Sequence, residues 1–134
     1  MKHVQAACLL AAALLLTAPA HAREAEMLIT APVAFAAPGA DHLEQNRKRI
    51  TAAAKSLGWV VDSDANNTMA LSYDKAGKHK VQLRLEYDAE SYRIHYVDSV
   101  NMNYVQRDGV PYIHPNYNRW VRNLIKQIGD FSLL

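Results

Sequence analysis

The chain has 134 residues, half of them hydrophobic, with a formal net charge of +2 and a single cysteine. Acids and bases are interspersed near balance, which excludes the strongly basic footprint of a nucleic-acid binder; one cysteine excludes a disulfide-stapled scaffold. The longest basic cluster, Arg47-Lys48-Arg49, falls on a predicted helix and reads as a solvated face.

In chain order, the first element is an export signal. Lys2 is the one full charge of a short positive start, residues 6–16 are apolar and rich in Leu and Ala, and Pro19 breaks the run before Ala20-His21-Ala22. Small residues at Ala20 and Ala22 suit a signal peptidase, so cleavage after Ala22 is expected. The apolar stretch is shorter than the ~20 residues a membrane-spanning helix requires. Cys8 lies inside that stretch rather than after it, so a lipid anchor at Cys8 is not expected and the mature chain carries no thiol. Removing 22 of the 134 residues leaves about 112, enough for one domain with one core. The expected location is periplasmic or secreted, with no transmembrane span after cleavage.

Residues 23–40 form an Ala- and Pro-rich leader. Pro32 and Pro38 forbid a continuous helix, so the segment reads as extended, with an edge strand near residues 28–35. The single α+β domain is placed at 41–134. Its first helix starts at a capping box, Asp41 with Glu44 three residues on. Leu43, Ile50, Ala54 and Leu57 form the apolar stripe, Asn46, Arg47, Arg49 and Lys55 occupy the other side, and Gly58 ends the helix as a left-handed cap.

Strand patterns follow at short intervals. Trp59-Val60-Val61 is apolar and β-branched, and 62–67 is dense in turn formers. Met69, Leu71 and Tyr73 alternate with polar residues, and Asp74-Lys75-Ala76-Gly77 predicts a hairpin turn. His79, Val81, Leu83, Leu85 and Tyr87 share one side of the next strand; Lys80, Gln82, Arg84 and Glu86 share the other. After a turn at 88–90, Tyr92, Ile94 and Tyr96 alternate with Arg93, His95 and Val97. Residues 98–115 read as polar and irregular. A last helix spans about 116–128, with Tyr117, Trp120, Val121, Leu124 and Ile128 as its apolar face. The expected architecture is therefore helix, four-stranded antiparallel meander, helix, with both helices on one sheet face.

Two segments resemble a family. They are Tyr92-Arg93-Ile94-His95-Tyr96-Val97-Asp98-Ser99-Val100-Asn101-Met102-Asn103-Tyr104 and Ile113-His114-Pro115-Asn116-Tyr117-Asn118-Arg119-Trp120-Val121-Arg122-Asn123-Leu124. In order and spacing they resemble small uncharacterised bacterial exported proteins and predicted lipoproteins, and Leu57-Gly58-Trp59 fits the same pattern. Met102 stands where the pattern usually has Leu, and the lipid-anchoring cysteine of other members has no counterpart here. The resemblance covers about residues 41–128; it implies a shared domain and assigns no activity.

Several constellations invite chemistry. His95, Asp98, Ser99 and His114 suggest a hydrolase with Ser99 as nucleophile, yet no glycine-rich elbow or oxyanion loop accompanies Ser99. His79, His95 and His114 could ligate zinc, but simple alternation points His79 and His95 to opposite faces. Glu86, Asp88 and Glu90 sit at a strand end and turn, where solvated carboxylates are ordinary. No catalytic residue, metal site or cofactor is therefore expected.

The polar face of the sheet and the aromatic, amide-rich segment 98–118 are the expected contact surface, with Asp98, Ser99, Asn101, Tyr104, His114, Asn116, Tyr117 and Asn118 as candidate binding residues. Asp98, Ser99 and His114 are also suited to holding that loop in shape. The reading that results is a non-enzymatic envelope module that binds or scaffolds an envelope protein or polymer, with no nucleic-acid partner. A hydrolase or metal-dependent enzyme acting on envelope material is the alternative.

Overall fold

A computed structural model describes residues 23–36, 39 and 42–131. The expected signal segment and the expected cap residue Asp41 lie outside the described residues. The fold is α+β, with two helices and two antiparallel sheets of five and three strands.

Helix α1 (Leu43–Ser56) is built of good helix formers, with Arg47 paired to Glu44 one turn back at 2.5 Å. It buries Ile50, Ala53 and Ala54. Asn46, expected to face water, is instead 3% exposed; its amide donates to the Ala89 carbonyl at 3.1 Å and ties the helix to a distant hairpin turn. The helix closes at Gly58, whose φ of +88° directs its N–H to the Lys55 carbonyl at 3.1 Å.

Four strands follow in chain order: β3 (Val60–Ala65), β4 (Thr68–Lys75), β5 (His79–Tyr87) and β6 (Ser91–Val100). Each pairs antiparallel with the next. Residues 62–65, expected as turn, continue β3; the turn is only Asn66-Asn67, both with positive φ, as a tight two-residue hairpin requires. At the next hairpin the Asp74 carboxylate accepts the Gly77 N–H at 2.8 Å, and Ala76 and Gly77 take positive φ. At the third, Asp88 accepts from the N–H groups of Ser91 and Glu90 at 2.7 Å each, and these bonds hold its carboxyl below the usual range.

The four-strand expectation is corrected in two places. The leader supplies β1 (Ala25–Glu26) and β2 (Val33–Ala34), and β2 adds a fifth strand beside β6. The segment expected as irregular contains β7 (Val105–Arg107) and β8 (Val110–Ile113), which pair with each other and with β1 as a second sheet, in the order β1-β8-β7. These strands are too short to display an alternating pattern, and Pro111 within β8 masks the signal further.

The alternation in β5 holds. Val81, Leu83 and Leu85 are at most 1% exposed, whereas Gln82, Arg84 and Glu86 are exposed. They join Met69, Leu71, Ile94 and the buried residues of both helices in one core. Helix α2 (Pro115–Asp130) adds Tyr117, Val121, Leu124 and Ile128, while Trp120 is only half-buried against that core.

Candidate binding surface

The candidate residues of segment 98–118 fall into three local arrangements. The first is an aromatic seam. Tyr104 stacks on Tyr96 with ring centroids 4.6 Å apart and planes 19° apart, and Tyr96 meets the buried Tyr117 edge-on at 5.7 Å. The Tyr96 and Ser99 hydroxyls share a bond of 2.8 Å, and the Asp98 carboxylate accepts the Ser99 N–H at 2.8 Å. Asp98 and Ser99 thus bond within their own strand end, and among the described residues no histidine bonds to either. Burial raises the Tyr117 hydroxyl well above the ordinary phenol range. A cavity of about 260 Å³ opens beside the seam, lined in part by Ile29, His95, Tyr96, Tyr104 and Gln106.

The second arrangement gathers Asn101, His79, His114 and Asn116. Asn101, at a φ of +57°, donates its amide to the Lys78 carbonyl at 2.7 Å. Its own carbonyl faces His79 Nδ1 at 2.9 Å, so that nitrogen carries the proton. His114 is the N-cap of α2: its Nδ1 accepts the Asn116 N–H at 3.1 Å, which fixes the opposite tautomer. The two rings lie 6.1 Å apart. Burial depresses the His114 pKa, assisted by His79, Arg23 and Arg119. Among the described residues no group of three or more His, Cys, Asp or Glu side chains could hold a metal ion.

In the third arrangement Asn118, 8% exposed, binds the leader. Its Oδ1 accepts the Leu28 N–H at 2.8 Å and its Nδ2 donates to the Glu26 carbonyl at 2.9 Å. Tyr117 and Asn118 are therefore part of the interior, and the exposed candidates are Asp98, Asn101 and Tyr104. His95, on the wall of the cavity beside the seam, has its Nε2 3.1 Å from Glu86, and that contact draws the Glu86 pKa down.

Two further concavities escaped sequence reasoning. One, of about 440 Å³, lies against Asp62, Ser63, Gln82, Arg84 and Val97. Register shifts leave Asp62 in β3 and Val97 in β6 without cross-strand partners, and such bulges sharpen the local twist of a sheet. The other, of about 210 Å³, is lined by Leu57, Trp59, Tyr73, Arg119, Trp120 and Asn123. Its legible signals were Gly58 directly before Trp59 and the four-residue spacing of Arg119 and Asn123 on α2. Among the described residues no helix is long and apolar enough to cross a membrane. Comparison with protein-family models, curated proteins and solved structures finds no match to the chain.

Proposed function

We propose that the chain is a small exported envelope protein that acts without catalysis, binding or scaffolding another envelope component. On this reading residues 1–22 leave as a signal peptide, the mature domain is periplasmic or secreted, and the resemblance to exported bacterial proteins reflects a shared domain. Both helices cover one face of the five-stranded sheet. The opposite face, with Gln82, Arg84, Val97 and the neighbouring Tyr104, is the contact surface.

One observation carries the proposal. The polar groups a hydrolase would recruit are each engaged in a separate local bond: Ser99 with Tyr96, Asp98 with the Ser99 N–H, His114 with the Asn116 N–H, and His95 with Glu86. A nucleophile needs its base within about 3 Å, and among the described residues neither Ser99 nor Asp98 is bonded to a histidine. The exposed strand face, by contrast, keeps charged and apolar groups side by side, with Val97 and Val100 about half exposed at 52% and 51%.

The test is a pull-down from envelope extract with the mature chain, run beside a variant carrying Ser99→Ala, His79→Gln, His95→Gln and His114→Asn. Equal capture of the same partner by both proteins is expected. A turnover of ester, peptide or glycan substrates by the wild type that the variant loses would overturn the proposal.

A further inference from the structure

We infer that the groove between Trp59, Tyr73 and Trp120 binds a sugar residue that carries a carboxylate; the groove lies apart from the sheet face proposed above as the contact surface, and the inference rests on the reading of the chain as an envelope-binding module and adds a ligand site to it. The groove begins with a backbone constraint. Gly58 closes α1 at positive φ, and a Cβ there would stand 3.3 Å from the Tyr73 ring. The tight turn delivers Trp59 beneath Tyr73, with ring centroids 5.2 Å apart, and Tyr73 meets Trp120 edge-on at 4.8 Å. Trp59 is 3% exposed and anchors the wall, whereas Tyr73 and Trp120 are half-buried and present ring surface to the groove.

The plainest alternative is that three rings merely plug the end of the core. It leaves the rim unaccounted for. Arg119 and Asn123 lie one helical turn apart, both exposed, on either side of Trp120 in sequence. Neither side chain has a hydrogen bond or ion-pair partner among the described residues. Among the described residues Arg119 is the one charged residue lining the groove, and no carboxylate lines it.

That combination selects a ligand. A sugar ring has an apolar face that packs on an aromatic ring and a polar edge that takes amide and guanidinium donors. A guanidinium also matches a carboxylate with two parallel N–H bonds. A quaternary ammonium, the other usual occupant of an aromatic wall, would meet the like charge of Arg119. The volume of about 210 Å³ is below the ~300–1,000 Å³ of a drug-sized pocket, so it suits one ring of a longer glycan rather than a peptide helix or strand.

The test uses two sugars that differ by a lactyl carboxylate, N-acetylmuramic acid and N-acetylglucosamine. Both tryptophans of the chain line the groove, so intrinsic tryptophan fluorescence reports directly on it. A saturable change is expected with the acidic sugar, and affinity for the neutral one should be about tenfold weaker, the value of one charge-assisted hydrogen bond. Arg119→Gln should remove that preference by weakening the acidic sugar alone, with the melting temperature unchanged. Trp120→Phe, which keeps an aromatic ring, should weaken both sugars together. Equal affinity for the two sugars, or an Arg119→Gln variant that still prefers the acid, overturns the inference. So does the lack of a saturable response to either up to about 50 mM, well past the millimolar range of weak specific recognition. If that failure comes while envelope capture persists, the groove is refuted and the module reading stands; if capture also fails, the module reading falls with it.

Discussion

Acidification should weaken the start of α2 through one imidazole. His114 Nδ1 accepts the Asn116 N–H at 3.1 Å, and a protonated ring has no lone pair left for that bond. Protonation would also place a positive charge at the positive end of the helix dipole, beside Arg119 and Arg23 and facing His79 on β5. Losing an N-cap side-chain bond costs about 1 kcal/mol, and an unfavourable charge at a helix end adds roughly 0.3–1 kcal/mol. Together the penalty is about 1–2 kcal/mol. The sign follows from the direction of the shift. Burial lowers the folded-state pKa below the ordinary value of 6.5, so the unfolded chain binds the proton more readily. The contribution of His114 is fully present above about pH 6.5 and is lost as pH falls through the lowered folded value.

The assay is chemical denaturation at pH 8 and pH 5 for the wild type, His114→Asn and His114→Ala. Asparagine caps as well as any residue and does not titrate. His114→Asn should match the wild type at pH 8 and exceed it at pH 5 by about 1–2 kcal/mol, roughly 3–10 °C in melting temperature for a domain of this size. His114→Ala should lose about 0.5–2 kcal/mol already at pH 8. Every other side chain is the same in both proteins, so the difference between wild type and His114→Asn isolates this one. If the two have the same pH dependence, or the wild type is the more stable at pH 5, the capping argument is refuted.

Three further outcomes are expected. Leu83→Ala should cost roughly 2–5 kcal/mol against under about 0.5 for Gln82→Ala in urea melts, because Leu83 is 1% exposed on the core side of β5 and Gln82 faces out. Asn118→Ala should cost about 1–3 kcal/mol and accelerate hydrogen exchange at the Leu28 amide, since one side chain binds both Leu28 and Glu26. Gly58→Ala should destabilise by about 1 kcal/mol or more and shift tryptophan fluorescence, because the backbone there needs φ of +88° and the new Cβ would press on Tyr73.

The sequence made the strongly patterned parts of the fold legible. In β5 strict alternation named the buried and exposed residues, and Gly58 marked the end of α1. What it hid were elements defined by pairing rather than pattern. Strands β1 and β2 have two residues each and make sense only beside β8 and β6, tens of residues away in the chain. A two-residue strand has no period to read, and its stability comes from its partner. Asn46 failed for the same reason: its polarity argued for solvent, but the carbonyls it serves belong to the turn at 88–89. The place of Trp120 on the helical stripe predicts a core anchor, and its half-burial follows from lying at the edge of that stripe, against Tyr73.

The amides of segment 98–118 answer a different question from the one their composition raised. Asn101 and Asn103 both adopt positive φ, a conformation asparagine tolerates better than other residues with a side chain. Between them Met102 is 2% exposed, so the paired left-handed turns drive one apolar side chain into the core and return the chain to the surface. The Met102 carbonyl then accepts the His114 N–H at 2.7 Å, which joins this dip to the start of α2. Asparagines at 101 and 103 thus suit the backbone they stand in, and Asn118 holds the leader. Those needs alone explain much of the amide density that suggested a binding surface. The rim residues Arg119 and Asn123 bear no such structural duty among the described residues, and for that reason they, rather than the asparagine cluster, are where the proposed acidic sugar would be recognised.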